Sequence, residues 1–397
     1  MDVSQLKALL APAGQQALQA AMLLEPREEG YLRHFQELSR RFPPDLAHAA
    51  LEVAILRLEA AAKFPFASQL YLVREAMEQA SSWMVAEYRA RRFTPFDLLL
   101  DLGCSIGGDT LALAQVAPTI GVDRDPLRLA LGRANLNALG LGERATFLQA
   151  DLAVPLPVRL PDNTALFFDP ARRRQGRRIY SVRDYQPPLK VLEGWQGQVP
   201  AIGVKISPGV DLRELGGYKA EVEFISLDGE LKEAVLWFGP LQTVSRRATV
   251  LPGAHCLVTD PVGVLDLREP GAYIYEPDPS VLRAGLVQVL GASLGAAQLD
   301  ADIAYLTADR YQPTPFARAW AVESWFPFGL KKLRAYLRQR NVGRLTVKKR
   351  GSPLQPETLI RDLRLSGEAE RVIFLTHLRG RPIVVIAWPD QPHAASC

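Results

Sequence analysis

The sequence predicts an α/β protein: a parallel sheet closed by an antiparallel hairpin, with a helical domain before it and an α+β domain after it. Three observations carry this. From about Phe96, short apolar runs alternate with helical patterns, the texture of a parallel sheet with helical crossovers. A hairpin signal, "AEVEFISLDGELKEAVLWFG", follows the last of these runs, with Asp228-Gly229 at its turn. The segment before Phe96 has no strand-like alternation at all.

The helical domain is expected over residues 1–93. Its stretch "PPDLAHAALEVAILRLEAAAKF" begins with Pro43 and Pro44 near a helix start and sets Leu51, Ile55 and Leu58 on one face. "SQLYLVREAMEQASSWMVAEYRARRF" reads as a second long amphipathic helix. The central domain, 94–240, holds five buried strands in "FDLLLDLG", "TIGVDRD", "ATFLQADL", "TALFFDP" and "AIGVKIS". Helical stretches such as "TLALAQVA" and "PLRLALGRANLNALG" separate them. The third domain, 241–397, alternates strands ("RRATVLPG", "AYIYEP", "IAYLTAD", "GRLTVKKRG") with helices near 330–340 and 355–364, and ends in the hairpin "RVIFLTHLRGRPIVVIAW". Trp325, Phe326 and Phe328 in "VESWFPF" read as core.

With 48% hydrophobic and 23% charged residues, the 397-residue chain has the composition of an ordinary globular protein. No stretch reaches the roughly eighteen apolar residues of a membrane span, and the start of the chain lacks the cationic head of a signal peptide, so a cytoplasmic enzyme is expected. Cys104, Cys256 and Cys397 lie far apart and the five histidines form no ligand pattern, which excludes a zinc motif and a disulfide scaffold. The net charge of +4 is unevenly spread. Five arginines fall within residues 171–178, and nine basic residues with no acidic one run from Lys331 to Arg350. Such clusters suit a polyanion, or simply a solvated surface.

The stretch "DLGCSIGGDT" (101–110) sits where a buried strand turns into a helix. It lacks the G-x-G-x-x-G of a dinucleotide site and the Gly-Lys-Ser/Thr of a phosphate loop. Its spacing, Asp101, Gly103, Gly107 and Gly108, resembles the first motif of class I S-adenosylmethionine-dependent methyltransferases. The resemblance implies a Rossmann-like methyltransferase sheet and S-adenosylmethionine as methyl donor, with Cys104 beside the loop. It also implies Asp123, with Arg124 next to it, at the donor's ribose, and Asp151 with Leu152 at its adenine. Gln79 is expected to close over the amino-acid end. Gln79 lies in the helix before the first strand; the other positions stand at strand C-termini along one sheet edge, where open α/β sheets bind ligands.

At the fourth strand end stands Asp169-Pro170-Ala171-Arg172. Enzymes of this class that methylate base amines place Asp or Asn and then Pro there, followed by an aromatic that stacks on the base. Asp169, Pro170 and Arg172 are therefore the expected catalytic positions. The aromatic is missing, so Arg172 is expected to stack on a base or bind a phosphate, and Tyr180, Tyr185 or Trp195 to supply the ring.

"SIGGDTLALA" is similar to the corresponding loop of trimethylguanosine-forming RNA methyltransferases, over about residues 100–172. The wider chain resembles a bacterial class I methyltransferase family with a C-terminal THUMP-like part, through "AMEQASSWMVAEYRARRF", "DPARR", "FISLDGELKEAVLWFG" and "VGRLTVKKRG". This resemblance implies an RNA partner. The candidate nucleic-acid contacts are Arg173, Arg174, Arg177 and Arg178 after the fourth strand, and Lys348, Lys349 and Arg350 at a strand end. Methylation of a base nitrogen in RNA is the leading expectation. A protein or small-molecule acceptor, and a catalytically silent donor-binding protein, are the alternatives.

Overall fold

The computed structural model describes residues 1–154, 160–174 and 177–389. They divide into two compact units, Met1–Val222 with Lys232–Thr243, and Glu223–Leu231 with everything from Val244.

The first unit opens with six helices: α1 (Val3–Leu10), α2 (Pro12–Leu23), α3 (Tyr31–Leu38), α4 (Pro44–Ala60), α5 (Arg74–Gln79) and α6 (Trp83–Ala90). Helix α4 is the axis of this group. Leu51 and Ile55 are buried as expected, but Leu58 is 42% exposed, and Ala47, Ala50, Val53, Ala54 and Leu56 fill the remaining sides. Helices α1, α2 and α3 pack around α4, so a single apolar stripe underestimates what it buries.

The second long helix of the sequence reading is two short ones. Helix α5 stops at Ala80, in extended backbone, and α6 starts after Ser82. The break is held by Lys63. Its ammonium donates to the carbonyl oxygens of Met77 (3.0 Å), Glu78 (2.9 Å) and Ala80 (3.2 Å), and its own carbonyl accepts from the Trp83 amide at 2.8 Å. A cation on orphaned helix-end carbonyls satisfies them where the chain leaves the helix.

The sheet of this unit contains β1 (Leu98–Leu102), β2 (Thr119–Asp123), β3 (Ala145–Gln149) and β4 (Thr164–Phe168). A small hairpin, β5 (Arg173–Arg174) and β6 (Arg177–Arg178), lies outside it; β7 (Ile202–Ile206) rejoins it. Helices α7 (Gly108–Val116), α8 (Pro126–Ala138) and α9 (Leu192–Gln196) fall between the strands. β1 pairs in parallel with β2 on one side and β4 on the other; β3 extends the first side and β7 the second. All five strands are those read from the sequence. The two strands of the predicted hairpin are β8 (Glu221–Leu227) and β9 (Glu230–Phe238). Asp228 (φ 53°) and Gly229 (φ 78°) both take left-handed backbone in the turn between them, as a two-residue hairpin turn requires. β9 lies antiparallel to β7.

The sequence reading separates 1–93 from 94–240, whereas the compact units put 1–93 together with most of 94–240 and give Glu223–Leu231 to the second unit. The reason is a shared core: Leu6, Leu18, Leu51, Phe64 and Leu72 pack in the same cluster as Leu111, Leu131, Leu136 and Phe147.

In the second unit, β10 (Arg246–Leu251) pairs with β11 (His255–Val258). The other strands, β12 (Tyr273–Pro277), β13 (Ala297–Asp300), β14 (Ile303–Ala308), β15 (Ala317–Pro327), β16 (Val342–Lys349), β17 (Ala369–Leu378) and β18 (Arg381–Ala387), form a seven-stranded sheet in the order β13-β14-β12-β15-β18-β17-β16. β16 and β17 are parallel, and the other neighbours are antiparallel. Its helices are α10 (Pro279–Ala284), α11 (Val287–Ser293), α12 (Leu330–Gln339) and α13 (Pro356–Leu363). Alternation along β17 divides the core. Val372 and Phe374 face a cluster with Tyr305 and Trp320, while Ile373 and Leu375 face the apolar sides of α12 and α13. Of "VESWFPF", Phe326 is buried and Trp325 and Phe328 are partly buried against the two clusters, while Pro327 is exposed; up to Pro327 it belongs to an eleven-residue strand, β15, that the sequence hides because Arg318, Glu323 and Ser324 interrupt its apolar run.

A buried ion network ties α6 to the sheet. Arg89, almost fully buried, pairs with Asp109 and with Glu233 (2.9 Å), and donates to the Ser81 hydroxyl at 3.0 Å. Replacing it leaves two buried carboxylates without a cation, which costs about 3–5 kcal/mol. Arg89→Met is therefore expected to lower the denaturant midpoint of the first unit sharply, whereas Arg91→Met, at an exposed pair with Glu87, leaves it within error. Denaturant melts of both variants check this.

Candidate active site

Because β1, β2, β3, β4 and β7 run parallel, their C-terminal ends share one edge of the sheet. The strand order reverses at β1, which has β2 on one flank and β4 on the other, and such a switch point is where open sheets of this kind form a ligand crevice.

The loop after β1 is fitted to this place by close backbone approach. Gly103 has φ 84°, and a Cβ on it would collide with the carbonyl oxygen of Asp169, so only glycine lets the β1 and β4 ends come together. The Asp169 amide donates to the Leu102 carbonyl at 2.9 Å across the same gap. Gly107, φ 83°, caps α7. Ser105 is also left-handed (φ 50°), and its amide donates to the Asp123 carboxylate at 2.9 Å. The other Asp123 oxygen accepts from the Asp125 amide at 3.0 Å. A carboxylate has about four lone-pair positions, so Asp123 is fixed in place with acceptor capacity left for a pair of hydroxyls. Asp151 stands beyond β3, exposed, one oxygen taken by the Ala153 amide (2.9 Å), with Leu152 buried beside it. Arg124 is exposed and meets the site only through its neighbour Asp123. Cys104 packs its thiol inward towards Gly121, so its backbone alone is available; burial pushes that thiol well up. Gln79 is partly exposed and donates to Glu75 at 3.2 Å, and the neighbouring Ala80 lies against Gly108.

Asp101 is fully buried. One oxygen accepts from the Thr110 hydroxyl (2.5 Å); the other has no partner. Burial first, then the charge of Asp109, push its carboxyl up to about 8. Asp169 goes the other way. Burial alone would raise it, but Lys205 and Arg172 outweigh burial and hold it below the usual carboxylate range. The Lys205 ammonium, 3% exposed, donates to one Asp169 oxygen at 2.7 Å, and the Arg172 guanidinium sits 3.6 Å from the other. Arg172 also donates to the Ile206 carbonyl at 3.3 Å, so it is tethered inside the site rather than reaching out as a stacking surface.

Of the rings that might have replaced the missing aromatic, Tyr185 and Trp195 are core. The Tyr185 hydroxyl accepts from the Ser207 amide (2.8 Å), and Trp195 meets Phe168 edge-on at 5.0 Å. Tyr180 is 54% exposed and lies along the turn at Gly209. The side chains of Arg173, Arg174, Arg177 and Arg178 lie outside the described residues. In the second unit, Lys348 and Arg350 both pair with Glu276, at 2.5 and 3.8 Å, and Lys349 is exposed, donating to the Leu354 carbonyl at 3.1 Å.

Sequence reading missed three residues here. Lys205 left a signal, a lysine inside an apolar strand, "AIGVKIS", where charge is tolerated only with a partner. Arg89 and Asn135 left none. Asn135, buried on α8, donates to the carbonyls of Ile106 (3.0 Å) and Tyr71 (3.2 Å) and accepts from the Tyr71 amide (2.6 Å), which pins the donor loop to the N-terminal segment.

The parallel sheet with an antiparallel last strand, the glycine turn at the switch point and an acid at or near the C-terminal end of each of the first four strands are the marks of a class I methyltransferase. The chain is 36% identical over 346 residues to an uncharacterised S-adenosylmethionine-dependent methyltransferase of Mycobacterium tuberculosis, a match covering 84% of this chain and 94% of the relative. It belongs to the S-adenosylmethionine-dependent methyltransferases. It is 24% identical over 165 residues to the trimethylguanosine synthase of Schizosaccharomyces pombe, 38% of this chain and 69% of that one. A candidate methyltransferase from Porphyromonas gingivalis W83 shares the fold, with a TM-score of 0.75 at 22% identity over 91% of this chain and 99% of that chain. Residues 317–389 match the family described as THUMP domain-like, and residues 2–60 a domain of unknown function family (DUF8688). Among the described residues, no group of His, Cys, Asp and Glu could hold a metal ion, and no helix is long and apolar enough to cross a membrane.

S-adenosylmethionine is the donor of this family, and the loop fits it: close backbone at Gly103 and Gly107, a fixed carboxylate at Asp123, no lysine of a phosphate loop. Asp123→Ala is expected to weaken donor binding about 100-fold, as loss of two charge-assisted hydrogen bonds would, while Asp169→Ala binds donor like the wild type and transfers nothing; calorimetric titration and a label-transfer assay check both. Asp101 binds its proton more tightly folded than unfolded, so its contribution to stability falls as pH rises from about 4 to about 8. Asp101→Asn, which keeps an acceptor for Thr110, should flatten the decline, on the order of one kcal/mol per pH unit, in melts across that range.

Proposed function

We propose that the protein transfers a methyl group from S-adenosylmethionine to a base nitrogen of RNA. The observation that carries this reading is Asp169-Pro170 at the switch point, followed by the one exposed ring, Tyr180, among the three that could stack on a flipped base. The bound donor supplies an electrophilic methyl group. The chain's own residues do the positioning: Gly103, Gly107 and Asp123 hold the donor, Asp151 and Leu152 frame its adenine, Asp169 accepts a hydrogen bond from the base edge, and Tyr180 stacks on its face. Positioning of this kind supplies much of the rate of a transfer that needs in-line geometry.

The THUMP domain-like match and the trimethylguanosine synthase relative support an RNA acceptor. So does the arginine-rich sequence 172–178, with Lys349 a further contact in the second unit. The occupied Asp169 carboxylate favours a second reading, a donor-binding protein without turnover.

Purified protein incubated with labelled donor and total cellular RNA is expected to label the RNA, and binding of that RNA to weaken steeply with salt, with a slope near one per phosphate contact. Label in protein or small molecules alone would replace the acceptor class; donor binding without label would establish the silent reading.

A further inference from the structure

We infer that Lys205 is a positioning residue for methyl transfer: it acts through Asp169, whose carboxylate its ammonium holds in one orientation. This rests on the reading above that Asp169 meets the edge of an RNA base. The first observation is where the lysine stands. β7 is buried at all five positions, and Lys205 is the fourth of them. An ammonium in such a strand has to be paired. A buried ion pair is weak evidence of stabilisation, because apolar residues of similar volume often serve a core as well or better. Packing of β7 against β4 does not by itself call for this charge.

The register brings the pair together. Phe168 lies opposite Val204 in the parallel ladder, so Asp169 and Lys205 are the next position along each chain. The ammonium donates to one Asp169 oxygen at 2.7 Å; the Arg172 guanidinium stands 3.6 Å from the other, an ion pair beyond hydrogen-bond range. The turn that carries Asp169 is held without Lys205. The Asp169 amide donates to the Leu102 carbonyl (2.9 Å), Arg172 to the Ile206 carbonyl (3.3 Å), and the Ser207 amide to the Tyr185 hydroxyl (2.8 Å). Removing the ammonium therefore releases the carboxylate and leaves the turn in place.

A carboxylate offers about four lone-pair positions. Lys205 takes one, and the Asp169 side chain is 21% exposed, so acceptor capacity remains for an incoming N–H. What the pair supplies is direction. A carboxylate released to rotate about its side-chain bonds loses that direction, and a misplacement of about 1 Å costs roughly 100-fold in rate.

The pair also governs the protonation of Asp169. The other charged and titratable groups that act on it are Arg172 on its own loop, Arg89 from α6, Asp101 from β1, and Tyr185. Arg89 is shared with Asp109 and Glu233, Asp101 is pushed towards its neutral form, and the Tyr185 hydroxyl is occupied by the Ser207 amide. Lys63, which acts on Lys205, is engaged by the carbonyls that end α5. Lys205 and Arg172 together outweigh burial and keep the Asp169 carboxyl below the usual range. Without Lys205, burial acts against one cation fewer, and the carboxyl binds its proton at a higher pH. A protonated carboxyl is the poorer acceptor, so the rate is then lost at a higher pH on the acid side.

The test follows transfer of labelled methyl from S-adenosylmethionine to total cellular RNA across pH, for wild type, Asp169→Ala, Lys205→Met and Lys205→Gln. Lys205→Met is expected to lose about 100-fold in kcat near neutral pH, with donor affinity by calorimetry within about threefold of wild type. Its acid limb should move up by about one pH unit. Lys205→Gln, which keeps a donor without the charge, should lose less in kcat and show the same moved limb, and it stands in where Lys205→Met does not fold. Full transfer by the Lys205 variants beside a dead Asp169→Ala overturns the inference alone. So does an equal loss at every pH, which marks Lys205 as merely structural, or a loss that follows weakened donor binding. Transfer by Asp169→Ala overturns the reading of Asp169 and the inference with it; no label in RNA from wild type overturns the RNA acceptor and this role in reaching it. A readout without turnover needs no Lys205 variant. In wild-type protein carrying ¹³C-labelled aspartate, with the signal assigned through Asp169→Asn, the Asp169 carboxyl should titrate below the ordinary range; an ordinary titration overturns the pairing on which the inference stands.

Discussion

The Arg89 guanidinium is the interaction on which the first unit depends. It is a charge taken out of water, which is tolerable only when several partners share it. Asp109 comes from the first turn of α7, immediately after the donor loop; Glu233 comes from β9; Ser81 comes from the break between α5 and α6. Phe167 of β4 lies under the guanidinium, 4.6 Å away. One side chain therefore sets the spacing between the N-terminal helices, the glycine turn and the sheet. This fits the core that the helical segment shares with the sheet's helices.

The same constraint shapes the site. Carboxylates crowd the C-terminal edge of the sheet, and each is handled differently. Asp123 is held by backbone amides and keeps capacity for hydroxyls. Asp101 is driven towards neutrality by burial and by Asp109. Asp169 stays ionised because Lys205 and Arg172 are beside it. Three aspartates at successive strand ends thus acquire three characters from their neighbours alone.

Much of this was legible in the linear order. The five parallel strands and the hairpin were readable because buried strands are short, apolar and bounded by turn residues, and the glycine and aspartate positions because strand ends must carry whatever binds at that edge. The expected second helix failed because α5 ends at extended Ala80, where the ammonium that receives its carbonyls comes from Lys63, seventeen residues earlier in the chain. The stacking roles expected of Tyr185 and Trp195 failed because their burial is set by Ser207 and Phe168, partners distant in sequence. β15 escaped notice because its polar residues interrupt the apolar pattern, while its backbone is satisfied by β12 on one side and β18 on the other.

By itself, then, the sequence determined the class of fold, the glycine turn after β1 and the presence of aspartates near the strand ends. These follow from local periodicity and from backbone positions that only glycine tolerates. Tertiary structure alone decided which aspartate is pushed towards its neutral form, which is paired, and which ring reaches solvent. Charge and burial depend on what folds against a residue: Lys205 lies thirty-six residues from Asp169 in the chain and 2.7 Å from it in space.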